Sequence, residues 1–202
     1  MAEIDSTDSD MAPTAIDGRR QRSEASRDRI VQALMELVVQ GDTSPSAEAV
    51  AARAGVGLRT VFRHFENMEA LYQQLNQRVA AELRPTLEQP FSATDWRERI
   101  LEMLDRRIGV FERIMPLKVA ADVHRHRSPF LTSQGAEFIR LQRAFLRATL
   151  PDDSPADPNL FESLDLLLSF DTWRRLRKDQ QLTRARARTV LQHLLRMTLR
   201  AG

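Results

Sequence analysis

Arg59, Thr60, Arg63 and His64 crowd into one short stretch, AGVGLRTVFRHF, residues 54–65. Their common competence is recognition of a polyanion. A guanidinium fork donates paired hydrogen bonds to phosphate or to guanine O6 and N7, and a threonine hydroxyl bonds a base or a phosphate, or lays its methyl against thymine. Catalysis finds little support elsewhere: the histidines (His64, His124, His126, His193) are scattered with no nucleophile at a recognisable spacing. There is no cysteine, and no glycine loop that would cradle a phosphate. The expectation is a binding protein rather than an enzyme, with neither metal nor cofactor.

The elements that must present these side chains are legible in the same stretch. Ser46, after Pro45, can cap a short helix that turns Ala47, Val50, Ala51 and Ala54 inward. Gly55 suits a turn of positive φ, and small Ala51 suits the crossing of two helices. Gly57 then starts a helix whose inner face is predicted to be Leu58, Val61, Phe62 and Phe65, leaving Gly57, Arg59, Thr60, Arg63 and His64 outside. A preceding helix capped by Ser26, with Ile30, Ala33, Leu34, Leu37 and Val38 inward, ends at Gly41.

The whole chain fits this arrangement. Its 202 residues carry a formal charge of only +2, but the charge is segregated. Residues 1–18 hold five acidic residues and no basic one, residues 19–65 hold eight arginines against five acidic residues, and residues 174–200 hold nine basic residues against Asp179 alone. Distribution of this kind points to a nucleic-acid partner more clearly than net charge does. The acidic, polar residues 1–18 read as a disordered tail. No apolar run approaches the roughly 18 residues that span a bilayer, and an acidic start is the reverse of a signal peptide, so a cytoplasmic protein without membrane contact is expected.

Dense 3.6-residue periodicity and the absence of alternating segments predict an all-α protein of about nine helices. After residue 66 these are a helix opened by Asn67 and running toward Pro90, then helices at 95–112, 116–124, 129–150, 160–177 and 183–200. The segment PDDSPADPN marks a boundary before the last two.

Residues 27–72 resemble the DNA-binding domain of the TetR (tetracycline-repressor-like) family of bacterial transcriptional regulators. The similarity lies in Ile30, Ala33, Leu37 and Gly41, in the Val50, Ala51, Ala54, Gly55, Val56 core, in Thr60 to Phe65, and in Glu69, Ala70, Leu71. It implies a helix-turn-helix domain (residues 19–70) on a larger helical bundle (71–202) that binds a small effector and dimerises. It also implies DNA contacts by Gly57, Leu58, Arg59, Thr60, Phe62 and His64, with Ser46 on a phosphate. Arg63 adds a cation to that face. Two positions depart from the family pattern: Phe62 stands where a tyrosine is usual and Met68 where a lysine is usual, removing two phosphate contacts. Arg19, Arg20 and Arg22 precede the first predicted helix and read either as an arm entering the minor groove or as a polar leader without contacts.

By the same resemblance, a pocket in the body would draw on Trp96, Met103, Phe111, Met115, Phe138 and Phe145, although such a stripe at helical spacing more often forms core. The dimer seam would fall on Phe161, Leu164, Leu167 and Leu168 with Val190, Leu191, Leu194 and Leu195, as a four-helix bundle across a two-fold axis. The partners expected are therefore double-stranded DNA with a palindromic operator, a second copy of the chain, and a small, largely apolar effector. An architectural DNA-binding protein without any effector is the alternative reading, and it would have a body packed without a cavity.

Overall fold

The computed structural model describes residues 15–124, 129–151 and 158–201. Among them the chain is helical without a strand: α1 (Ala15–Val39), α2 (Ala47–Ala54), α3 (Leu58–His64), α4 (Met68–Glu88), α5 (Trp96–His124), α6 (Pro129–Thr149), α7 (Pro158–Leu167), α8 (Phe170–Arg174) continued by a π-helical turn (Arg175–Asp179), and α9 (Arg184–Ala201).

Two compact units divide these elements. The first comprises residues up to Leu37 together with Pro45–Leu75, and the second comprises Val38–Ser44 and everything from Asn76 onward. In the first unit α1 buries Ile30, Val31, Ala33, Leu34 and Met35, α2 buries Val50, Ala51 and Ala54, and α4 contributes Leu71 and Leu75. In the second unit the core gathers Ile100, Met103, Leu104, Ile108 and Phe111 of α5 with Leu164 and Leu168, Trp173 and Leu191. Phe111 meets Phe170 edge to face at 5.5 Å. The fully buried Trp173 donates its indole N–H to Glu112 Oε1 at 2.9 Å, satisfying the one polar atom of its ring.

Arg107 is nearly as buried as the core around it, and its guanidinium donates to the carbonyls of Leu168 (3.0 Å) and Gln142 (2.8 Å), tying α5 to α6 and to the end of α7. Burial lowers its pKa to about 10, which Asp165 opposes, so it remains a cation at neutral pH. Arg143 joins α6 to α7 by reaching Glu162 (2.7 and 2.8 Å) and Asp165 (2.6 Å).

Several boundaries differ from expectation. The first helix begins at Ala15, so residues 15–18 belong to it rather than to a tail; residues 1–14 lie outside the described residues. Ser26 is not a cap but an interior residue whose hydroxyl donates back to the Arg22 carbonyl at 2.9 Å. The helices expected at 95–112 and 116–124 are one, because α5 runs through Pro116. The helix expected over 160–177 breaks at Ser169, whose hydroxyl accepts from Thr172 N–H at 3.1 Å and starts α8.

Candidate nucleic-acid interface and body groove

The first unit builds its exposed face through two caps and a turn. Ser46 Oγ accepts from Ala49 N–H at 3.2 Å and holds the start of α2. Gly55 closes α2 in the left-handed region (φ 65°, ψ 38°), with its N–H on the Ala52 carbonyl and that of Val56 on Ala51. Gly57 has the extended backbone of an N-cap (φ −71°, ψ 149°), and its carbonyl accepts from Thr60 N–H at 2.8 Å.

A seven-residue helix can bury only a narrow stripe. In α3 that stripe is Val61, continued by the buried Phe65 at the C-cap four residues on. The predicted inner face is therefore too wide: Leu58 is 37% exposed and Phe62 48% exposed, and these two, also four apart, form an apolar strip beside the cationic face. Arg59 and Arg63 are exposed, and neither has a carboxylate partner among the described residues. Thr60 is half-buried. Arg27 supports α3 from α1, with its guanidinium 5.0 Å from the centre of the Phe65 ring and one N–H on Gln74 Oε1 at 2.7 Å.

His64 is half-buried and turns Nε2 inward, where no described group bonds it. Desolvation, with Arg63 and Arg27 nearby, lowers its pKa, which favours a neutral ring. Arg20 and Arg22 lie inside α1, not in an extended arm: Arg20 pairs with Glu24 at 3.1 Å and Arg22 donates to the Gly18 carbonyl. The side chain of Arg19 lies outside the described residues.

The second unit contains a groove of about 320 Å³ between α4, α5 and α6. Val79, Leu83, Val110, Ile114 and Leu117 form its apolar wall. Of the six residues expected to line a pocket only Phe138 does so. Met103, Phe111 and Met115 are buried core, because their face of α5 turns to the interior of the bundle. Trp96 is half-buried under the Arg97 guanidinium (4.4 Å to the ring centre), and Phe145 is an exposed ring stacked on Phe91 at 5.7 Å. The residues missed are aliphatic ones at i, i+3, i+4, i+7 on α4 and α5, a pattern that a core would also produce.

The expected dimer residues separate by burial. Phe161, Leu164, Leu168, Leu191 and Leu195 are buried within the subunit and cannot face a mate, since they pack α7 and α9 onto the second unit's own core. Leu167 and Val190 are half-buried and Leu194 is 38% exposed. The residues that stand out on these helices are Leu166 (65% exposed) and Met197 (57%), neither of them anticipated.

A short helix capped by Ser46, a left-handed glycine turn and a second helix with an exposed cationic face define a helix-turn-helix protein of the all-α class. Residues 30–75 match the profile of the bacterial regulatory proteins of the tetR family. The fold is shared with a transcriptional regulator from Rhodococcus sp. Rha1 (18% identity over 87% of this chain and 97% of that one, TM-score 0.65). It is also shared with a TetR family transcriptional regulator from Pseudomonas syringae pv. tomato str. DC3000 (27% identity, 86% and 94% covered, TM-score 0.58). No curated protein gives a significant match. Residues 30–75 thus carry the DNA-binding domain that the tetR-family model describes, and the chain as a whole shares its fold with these regulators. Among the described residues no helix is long and apolar enough to cross a membrane.

Proposed function

We propose that the chain is a dimeric transcriptional repressor that binds a palindromic operator through α3 and releases it when a small molecule enters the body. Residues 19–70 serve DNA binding, and residues 71–202 serve effector binding and dimerisation. The observation that carries this reading is the outer face of α3, where Arg59 and Arg63 are exposed without carboxylate partners among the described residues and Thr60, Leu58 and Phe62 flank them. Two such helices, one from each subunit, address half-sites roughly 34 to 36 Å apart. Ser46 at the start of α2 stands for a phosphate contact, and the helical Arg20 and Arg22 for further backbone contacts. The groove between α4, α5 and α6 supports the effector part of the reading, because a fully packed body would have none.

The test is selection of bound duplexes from a random library, followed by titration of the selected site. A palindrome is expected, with log affinity falling linearly in log salt. Arg59→Ala should weaken binding by about 1 to 3 kcal/mol and relax one base position. Arg63→Ala, which takes a cation away from the phosphates, should instead weaken all sequences alike and reduce the salt slope by about 1. If no sequence is enriched, or if the double variant binds as the parent does, the proposal fails.

A further inference from the structure

The groove in the second unit holds a pair of uncharged amides in its apolar lining. Asn76 Nδ2 of α4 donates to Gln134 Oε1 of α6 at 2.7 Å, and neither side chain has another partner among the described residues. Each primary amide carries one carbonyl and one NH2 group. A single bond between them therefore leaves one carbonyl oxygen and one NH2 group uncommitted, whichever way the two amides are turned. The leftover atoms are an acceptor beside a donor, on two half-buried side chains.

The charged members of the lining are engaged within the protein. Lys118 Nζ lies 4.6 Å from the centre of the Phe138 ring and 5.4 Å from that of Phe170, and Glu137 is held by Arg140 at 2.5 and 2.9 Å. Gly135 stands next to Gln134 inside α6 and also lines the groove. A glycine weakens a helix interior relative to alanine, and what it gives in exchange is close approach to the backbone.

Away from the amides the trough is aliphatic. Leu83, Val110 and Ile114 wall it, and Leu87 and Leu141 stand exposed at its rim. From Asn76 to Leu87 it follows α4 for about 16 Å at ~1.5 Å per residue. A volume of about 320 Å³ is at the small end of ligand sites, which suits one narrow molecule better than a polycyclic one.

We propose that this groove takes an uncharged single-chain amphiphile with a hydroxyl or primary-amide head, its alkyl tail along Leu83, Val110 and Ile114 and its head at the Asn76–Gln134 pair. Such a head both donates and accepts, so it answers the spare carbonyl and the spare NH2 group together. An ester only accepts, and it would cover the carbonyl without giving it a donor. A carboxylate has the same defect and must also shed its water to enter an apolar trough, while an ammonium sheds its water and leaves the NH2 group without an acceptor. The assignment rests on the reading of the second unit as the effector-binding part.

Calorimetry on the full chain at neutral pH, below micellar concentrations, tests it with octan-1-ol, decan-1-ol, decanamide, methyl decanoate, decanoate and decylammonium as probes. The alcohols and the amide should bind, with affinity rising about fourfold per methylene from octan-1-ol to decan-1-ol. Methyl decanoate, decanoate and decylammonium should each bind about fivefold or more weakly than decan-1-ol. Replacing both amides together, Asn76→Leu with Gln134→Leu, exchanges a bonded polar pair for apolar groups, and there decan-1-ol and methyl decanoate should bind alike. The assignment is overturned if the ester, the carboxylate or the ammonium matches decan-1-ol in the parent protein, if the alcohol or the amide does not bind, or if the preference for alcohol over ester survives in the double variant. The parent's selectivity decides the matter however the variant folds. A separate titration with the selected operator keeps the two claims apart. Decan-1-ol that binds without releasing DNA refutes the regulatory reading but not the ligand class, and release by decanoate or decylammonium alone does the reverse.

Discussion

Two glycines two residues apart have opposite requirements, and the difference sets the first expectation. Gly55 sits at φ 65°, where an added Cβ meets no neighbour within 4 Å but the backbone itself is strained for any L side chain. Gly55→Ala should therefore destabilise the protein by about 1 kcal/mol without a packing clash, read as a lower urea midpoint at unchanged slope. Gly57 has cap geometry without a cap side chain, so Gly57→Ser should raise stability by about a few tenths of a kcal/mol, its hydroxyl accepting from the first turn of α3. The exposed pair Leu58 and Phe62 raises a different matter. Apolar side chains beside arginines on a groove-reading helix suit thymine methyl groups, which the major groove displays. Replacing single thymidines of the selected half-site by deoxyuridine removes only a methyl. At the step read by this strip the exchange should weaken binding about threefold to fivefold, on the scale of one buried methylene. Phe62→Ala should abolish that sensitivity, and an unchanged uracil penalty in the variant would assign Phe62 to the DNA backbone instead.

At the scale of elements, a loop held by one side chain gives a pH-dependent expectation. Glu102 of α5 accepts from the Ser92 N–H (2.9 and 3.2 Å) and hydroxyl (3.0 Å), from Ala93 N–H (3.3 Å) and from Arg106 (2.6 Å), fixing the connection between α4 and α5. Desolvation raises its pKa, but the hydrogen bonds from Arg106, Ser92 and Ala93 together outweigh it and hold the group at about 2, below its ordinary 4.5. A depressed carboxyl contributes stability that is present above about 4.5 and is lost as pH falls toward 2. Glu102→Gln should accordingly lower the urea midpoint at neutral pH, by a margin that shrinks steadily below about pH 4.5. A deficit independent of pH would mean that the loop is held by shape alone. The loop half of this clasp was not legible in the sequence, since Ser92 and Ala93 stand ten and nine residues from Glu102 and no periodicity links them. What was legible is local: the Ser46 and Asn67 caps, the Gly55 turn and the spans of α6 and α9 follow from residue chemistry within a few positions. Pro116 misled for an instructive reason. A proline removes one hydrogen bond and costs a helix ~3 kcal/mol, but the buried face formed by Leu104, Ile108, Phe111 and Met115 continues through Leu117 and Ala120, and that burial carries α5 onward. Ser169 misled in the other direction, because the apolar period of Leu164, Leu168 and Trp173 hides a cap between them.

For the whole molecule, the question is which apolar surface a second copy would cover. Periodicity identified α7 and α9 as wide apolar stripes but could not say which part of each stripe packs inward, because a two-sided helix has the same period on both sides. Burial separates them: Leu191, Leu195 and Leu199 of α9 are core, while Val190, Leu194 and Met197, spaced i, i+4, i+7, run along the outside. Leu166 adds the most exposed of the large apolar residues on α7. Contiguous apolar surface on a helix marks an interaction site, so the proposed dimer seam narrows from the full stripes to Leu166, Val190, Leu194 and Met197. Leu195→Ala should destabilise the fold by about 2 to 5 kcal/mol as a buried truncation. Leu194→Glu together with Met197→Glu touches only exposed positions, so each subunit should keep its helical content and its core while light scattering at micromolar concentration reports a monomer. The same double variant should lose tight binding to the full palindrome yet keep the parent's affinity for a half-site, because it separates the two recognition helices without altering either. A double variant that remains dimeric would move the seam away from α7 and α9, and one that unfolds would show that these side chains serve the subunit's own packing.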